Sequence, residues 1–219
     1  MNIILGFVNI VVTFTLVVLV EKFFKKEGVF AWMSIATILA NLTVCKAIDI
    51  FGITTSLGNV LFASTFLATD ILSEKYSKED AKKAVYLSIV SGITFIIITQ
   101  LTLLFIPSTE DVVNEAMKTL FSISIRTTIA SLTMFFISNM LDIYIYNNLK
   151  EKYPKKLWLR NNVATIFCNC VENYFFNTFA FIGIFSIPVI ISIATTTTII
   201  EIIIALCDTP FLYLSKEWK

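Results

Sequence analysis

Two acidic residues each follow an amide by three positions inside a long apolar segment. The strings are NMLD, residues 139–142, and NCVE, residues 169–172. Residues three apart share one face of a helix, so Asn139 lies beside Asp142 and Asn169 beside Glu172. A carboxylate accepts two parallel N–H bonds, and an amide both donates and accepts. Such a pair matches a guanine-like edge, which presents an N–H, an amino group and a carbonyl.

The two pairs are predicted to lie at one level. Counted from Lys150 and Arg160, they lie about 12 to 18 Å along two antiparallel helices. This places them near the membrane midplane, where secondary transporters hold their solutes. Phe176 could add a stacking face. The alternative is that Asn139 and Asn169 only join helices by hydrogen bonds, and that Phe176 only packs.

Ionisable residues inside apolar segments are costly and usually face an interior cavity. Five acids lie there: Asp70, Asp142, Glu172, Glu201 and Asp208. Too few basic residues lie deep enough to pair with all of them. Protonation would neutralise the others, so Glu172 and Glu201, the most central, are candidates for proton coupling.

The elements that carry these residues are apolar segments of membrane-spanning length. The chain has 219 residues, 57% hydrophobic and 15% charged, and a mean hydropathy of +0.82. Soluble domains are about 45–50% apolar and about 25% charged. Seven segments approach the roughly 20 residues that a spanning helix needs: 3–20, 28–48, 57–72, 84–106, 122–147, 158–184 and 188–214. The sequence predicts an all-α integral membrane protein, one domain over residues 1–219 with six to seven transmembrane helices.

The loops predict the orientation. Of the 17 Lys and Arg residues, all but Lys46, Lys118 and Arg126 lie in alternate loops and the C-terminal tail. Basic loops stay on the cytoplasmic side, so we expect the N-terminus outside and the C-terminus inside. In the outer loop 107–120, apolar residues recur at helical spacing and predict a short interfacial helix, either a lid or a surface connector.

Several classes of protein are disfavoured. The chain has no His, and its four Cys residues form no C-x-x-C pair, so we expect free buried thiols and no metal or cofactor. No nucleophile elbow, zinc-protease or P-loop motif is present, and Asp70 with Glu74 is too sparse for the metal site of a lipid phosphotransferase. The expected partners are a small purine-like molecule and membrane lipids, without nucleic acid. Few small-residue patterns occur, so the sequence leaves a homo-oligomer open.

Four strings resemble one family in order and spacing. They are GNVLFASTFLATDILSEKYSKEDAKKA (58–84), LWLRNNVAT (157–165), AFIG (180–183) and DTPFLYL (208–214). Together they resemble the YhhQ-type queuosine precursor transporters. The resemblance implies that the chain imports a 7-deazaguanine, such as a pre-queuosine base, queuine or queuosine. We expect import by alternating access across a bacterial inner membrane. The buried acids make proton coupling of this transport a further hypothesis.

The resemblance also implies site residues. Asp70, Asp142, Arg160, Asn161 and Asn162 match polar residues of the family, and we expect Asp70, Asp142 and Asn162 at the substrate. The family pattern has Gln at positions 139 and 169, Asp at 172 and Lys near 201. This chain has shorter amides and a longer acid on the proposed reading face, which favours a larger or modified 7-deazaguanine.

Three charged residues are candidates for gating. Arg160 is expected to form a gating or structural ion pair with Asp142 or Asp70, or to extend to the membrane interface. Glu74, one turn from Asp70, is either part of the gate or a solvated helix end. Asp208, two residues before a proline, is expected to help break the last helix.

One further class of transporter remains open. The substrate-binding subunit of an energy-coupled vitamin or nucleobase importer has a similar size and cargo. That subunit usually carries an A-x-x-x-A face in its first helix for docking, and the first apolar segment here contains no Ala.

Overall fold

A computed structural model of the chain describes residues 1–44, 46–50, 53–121 and 125–217, so the predicted thiol at Cys45 lies outside the described residues. Within those ranges the chain forms seven α-helices and one antiparallel β-hairpin. In chain order they are α1 (Asn2–Thr43), β1 (Ala47–Ile50), β2 (Ile53–Ser56), α2 (Gly58–Lys75), α3 (Lys78–Leu103), α4 (Asn114–Phe121), α5 (Ile125–Lys152), α6 (Leu157–Phe181) and α7 (Ile187–Glu217).

Helix α1 folds back on itself at Lys25, whose backbone has φ 53° and ψ −144°. A continuous helix of 42 residues would span about 63 Å. Instead, the Asn2 side chain donates a hydrogen bond of 3.0 Å to the Asp49 carbonyl, just beyond the other end of α1. Gly28 lies so close to the Val20 carbonyl that a Cβ there would clash with it. Residues 2–24 and 26–43 are therefore two antiparallel helical segments, which correspond to the first two predicted spans.

The outer surface of the bundle is apolar. Large hydrophobic side chains such as Phe7, Ile97 and Ile203 are more than half exposed. Among the described residues, four helices, α1, α3, α5 and α7, are long and apolar enough to cross a membrane. An all-α membrane bundle is thus confirmed at the level of its helices and their apolar surface.

Helix α2 lies at the centre of this bundle. Fourteen of its 18 residues are buried, and it packs against α1, α3, α5 and α7. Its small polar residues bond inside the protein, as when the Trp32 indole donates to Ser64 at 3.1 Å. The third predicted segment is therefore an unbroken helix, and its polarity reflects its central position.

Two boundaries differ from the sequence prediction. The second apolar segment was expected to stay helical to residue 48, but α1 ends at Thr43 and a hairpin follows, with Ala47 opposite Ser56. Isoleucine at every second position explains the strand, because β-branched side chains favour a pleated surface. In the outer loop the helix α4 begins only at Asn114; before it, the Asp111 carboxylate accepts hydrogen bonds from the backbone N–H groups of residues 113 and 114 and holds the chain in a turn.

The predicted break near Asp208 is wrong. Helix α7 continues through Pro210 to Glu217. Proline removes one backbone hydrogen bond, which helices packed in a membrane bundle tolerate because neighbouring groups compensate. Asp208 instead joins two helices, since its Oδ1 accepts a bond of 2.6 Å from Asn161 on α6.

Candidate functional site

A cavity of about 410 Å³ opens between the helices at the end of the bundle that carries the β-hairpin, called here the hairpin end. Val44, 43% exposed, stands on its wall near that end. The volume falls in the range of about 300–1,000 Å³ typical of small-molecule sites. Its polar lining consists of Asn41, Ser56, Asn59, Thr127, Thr128, Ser131, Asn169, Glu172, Asn173, Asn177, Thr197 and Glu201.

One face of α6 supplies much of this lining. Asn169, Glu172, Asn173, Phe176 and Asn177 all border the cavity, and spacings of three and four residues place them on one helical face. The sequence analysis proposed the first, second and fourth of these as site residues. The same spacing was sufficient to include Asn173 and Asn177, which the prediction missed.

The cavity holds groups that are ready for a ligand. The Asn169 Nδ2 atom is buried and has no hydrogen-bond partner among the described residues. Glu172 contacts the Ser138 hydroxyl, and Glu201 Oε2 accepts a bond of 2.6 Å from Asn173. The Phe176 ring packs edge-on against Phe181, with ring centroids 6.3 Å apart. An unpaired donor, two carboxylates and an aromatic wall therefore share one space.

Two further amides of the lining were not predicted. Asn41 comes from the end of α1, and Asn59 from the start of α2. Asn59 follows Gly58 in the first family-like string, so a signal for it was present. No sequence signal marked Asn41, because its position on the cavity wall depends on how α1 packs against α2.

A second group of acids lies deeper and outside the cavity lining. The carboxyl groups of Asp70 and Asp142 are close neighbours. Asp142 also accepts bonds from Thr69 at 3.3 Å and Thr165 at 3.5 Å, whereas neither Asp70 oxygen receives one from the described residues. This cluster joins α2, α5 and α6 in the centre of the bundle.

The two predicted pairs overlap in level, since Asn139 follows Ser138, but their acids lie further apart than predicted. Thr165 lies beside Asp142, and Ser138 lies beside Glu172. Thr165 and Glu172 are seven residues apart on α6, which is about 10.5 Å. Asp142 and Glu172 are therefore separated by about this distance along the bundle axis.

Two of the predicted amides make bonds within the bundle rather than lining the cavity. Asn139 donates to the Phe135 carbonyl at 3.0 Å, and its Oδ1 is buried without a partner among the described residues. Asn162 donates to the Trp158 carbonyl at 2.8 Å and to the Thr209 hydroxyl at 2.9 Å. Asn162 thus links α6 to α7.

The opposite end, called here the basic end, is closed by ion pairs. Arg160 Nη2 lies 2.6 Å from Glu74 Oε2, and both side chains are almost fully buried. The predicted partners Asp142 and Asp70 are wrong, because Arg160 lies in the first turn of α6 and Glu74 in the last turn of α2, at the same end. Glu74 also binds Lys216 at 2.8 Å, so it is not a solvated helix end.

A second buried ion pair closes the same end. Glu21 is fully buried and lies 2.8 Å from Lys75. It also accepts bonds from Tyr76 at 2.8 Å and Ser215 at 3.2 Å. The sequence analysis missed Glu21, because an acid among lysines at a helix end also fits a solvated turn. The two clusters together bind α1, α2, α6 and α7 below the cavity.

Comparisons with known proteins identify relatives of this chain among transporters. The model of a family described as "Putative vitamin uptake transporter" matches residues 56–215, which include every predicted site residue. A protein of Bacillus subtilis (strain 168) named "Probable queuosine precursor transporter" is 36% identical over 209 residues, covering 94% of this chain and 91% of that protein. No solved structure matches the chain.

Proposed function

Because the chain belongs to the family of queuosine precursor transporters, we propose that it imports a queuosine precursor, a 7-deazaguanine base or nucleoside, across the bacterial inner membrane. Membership of a transporter family makes it a carrier and not an enzyme. The observation that carries the proposal is the cavity, where the unpaired Asn169 amide and the Glu172 carboxylate lie one turn apart on α6.

The chemistry of a 7-deazaguanine fits these groups. Glu172 accepts from the N–H and amino group of the base, and the Asn169 amide donates to its carbonyl. Phe176 provides an apolar surface for the ring. Because the amide is already buried without a partner, the base supplies a hydrogen bond that the empty cavity lacks.

The deeper residues belong to the path of the base and to its support. When access alternates, the base passes Asn139, near the level of Glu172, and moves towards Asp142 and Asp70 on the side of the basic end. Asn162 and Asp208 keep α6 and α7 together along this path through their bonds to Thr209 and Asn161.

The topology that we propose has seven crossings. The two segments of α1 account for two of them, and α2, α3, α5, α6 and α7 for the others. The excess of Lys and Arg places the basic end in the cytoplasm and the hairpin end outside. The cavity then faces outwards, and the ion pair of Arg160 with Glu74 is the closed inner gate.

We assign proton coupling to Glu172 and Glu201. Both carboxylates are inside the bundle and border the cavity, so protons reach them from outside in this state. Buried acids on a substrate path are the usual proton carriers of transporters.

Uptake of a labelled 7-deazaguanine in a strain without its own synthesis tests the proposal. We expect Glu172→Gln and Asp142→Asn to abolish uptake at unchanged expression. Glu151→Gln, which removes a charge from an exposed position, is the matched control and should transport normally. Normal uptake in both site variants would refute the assignment of the site.

Reconstitution of the purified chain in liposomes distinguishes a carrier that acts alone from a substrate-binding subunit of a larger importer. Transport by the purified chain alone in liposomes excludes the energy-coupled importer. An absolute requirement for ATPase partners would show instead that the chain is a substrate-binding subunit.

A further inference from the structure

The charge of the cavity restricts which 7-deazaguanine it accepts. We propose that the cavity selects precursors whose 7-substituent carries a protonated amine, with the Glu201 carboxylate as the counter-ion of that ammonium group. This inference rests on the proposed function and adds the charge of the substrate to it.

Two carboxylates, Glu172 and Glu201, border the cavity, and the described side chains of its lining include no Lys or Arg. They approach from different helices, α6 and α7. A buried carboxylate that lacks a positive partner is costly. A cationic ligand supplies the missing charge, whereas a neutral ligand leaves it missing.

The contacts of the two acids indicate that each one binds a different part of the ligand. Glu172 lies one turn from the unpaired Asn169 amide, so these two groups take the polar edge of the base. Glu201 lies one turn beyond Thr197 on α7, on another wall of the cavity. The Asn173 amide holds Glu201 by Oε2 alone, at 2.6 Å, which leaves Oε1 for a ligand.

The geometry also gives Glu201 a role beside proton coupling, in the ionised state that remains when it has released its proton. One carboxylate and one amide satisfy the hydrogen-bonding edge of the base. Glu201 has no role in that edge, and the Asn173 amide, being neutral, does not balance its charge. An ammonium group on the substituent balances the charge and donates to the free oxygen.

Binding to the purified full-length protein tests the inference with three ligands that share one ring. They carry a 7-aminomethyl group, which is cationic, a 7-hydroxymethyl group, which is neutral and of the same size, and a 7-cyano group, which is neutral. We expect the amine to bind at least about tenfold more tightly than either neutral ligand, a difference that one buried charge pair readily supplies.

Variants locate the origin of that preference. Glu201→Gln should remove the preference for the amine. We expect the affinity for the aminomethyl ligand to fall about tenfold or more, and the affinity for the hydroxymethyl ligand to change by less than about twofold. Glu201→Asp keeps the charge and should retain part of the preference. Glu151→Gln, exposed at the basic end, should leave all three affinities unchanged.

The outcomes separate the two proposals. Equal affinity of the wild-type protein for the amine and the hydroxymethyl ligand overturns this inference even if no variant folds, and leaves the proposed function standing. A preference that survives in Glu201→Gln overturns the assignment of Glu201. Failure of all three ligands to bind overturns the proposed function, and the inference with it.

Discussion

Replacing Glu74 by Gln tests whether the closure of the basic end depends on one buried carboxylate. Arg160 is buried to 99% of its side chain, and its guanidinium touches Glu74 at 2.6 Å. Its other bonds go to the carbonyls of Tyr153 at 3.3 Å and Pro154 at 2.9 Å. The variant leaves this guanidinium buried with neutral acceptors only, while Lys150 and Lys216 remain nearby.

The magnitude follows from burial. Breaking a buried pair by removing one partner costs about 3–5 kcal/mol, because the other charge stays desolvated. An exposed pair is worth about 0–1 kcal/mol. Lys82 with Glu79, at 2.9 Å and with both side chains partly or largely exposed, provides that comparison. Glu74→Gln should therefore open the basic end far more than Glu79→Gln.

Hydrogen exchange of the backbone amides in residues 153–160 measures this opening, since this segment carries Arg160 and both of its carbonyl acceptors. A loss of about 3–5 kcal/mol corresponds to exchange that is roughly one hundred to a few thousand times faster. Glu79→Gln should change exchange there by less than about fivefold. Adding Arg160→Met to the Glu74 variant removes the unpaired charge and should restore much of the protection. Equal exchange in the Glu74 and Glu79 variants would refute the argument.

Three further substitutions test other parts of the structure. Asn169→Leu should weaken 7-deazaguanine binding about tenfold to a hundredfold, measured by calorimetry, because the base carbonyl loses its donor; unchanged affinity would remove Asn169 from the site. Gly28→Ala should destabilise the fold by about 1–3 kcal/mol in denaturant unfolding, since its Cβ meets the Val20 carbonyl; a neutral result would contradict the close approach. Asp70→Asn should raise the thermal midpoint while impairing uptake, because the new amide donates to Asp142, its close neighbour; a lower midpoint would show that the carboxyl pair is itself stabilising.

The helices were predictable because each one follows from local sequence. Apolar segments of spanning length must be helical in a bilayer, since no water satisfies their backbone groups. The fold-back at Lys25 falls where three lysines separate two such segments. The hairpin after Thr43 was missed, because four-residue strands inside an apolar stretch carry too little signal to compete with a helix.

The site was predictable only in part, for a physical reason. The spacing of Asn169, Glu172 and Phe176 along α6 shows which residues share a face, and the cavity lies on that face. Spacing does not show which helix a face meets. The predicted partners of Arg160 were Asp142 and Asp70, and its pairing with Glu74 instead depends on how far α6 is shifted along α2. Such shifts arise from packing and are absent from a single helix.

Helix α2 has a consequence for how the protein enters its membrane. Insertion experiments assign about +2.5 to +3.5 kcal/mol to an Asp at the centre of a spanning helix. Helix α2 carries Asp70 together with Asn59 and several hydroxyl groups, and only 18 residues are available to offset them. In the topology with seven crossings that we propose, α2 therefore enters the bilayer favourably only beside neighbours that cover its polar side chains. The two segments of α1 are synthesised before α2 and pack along it. They therefore cover polar side chains of the central helix and favour its insertion.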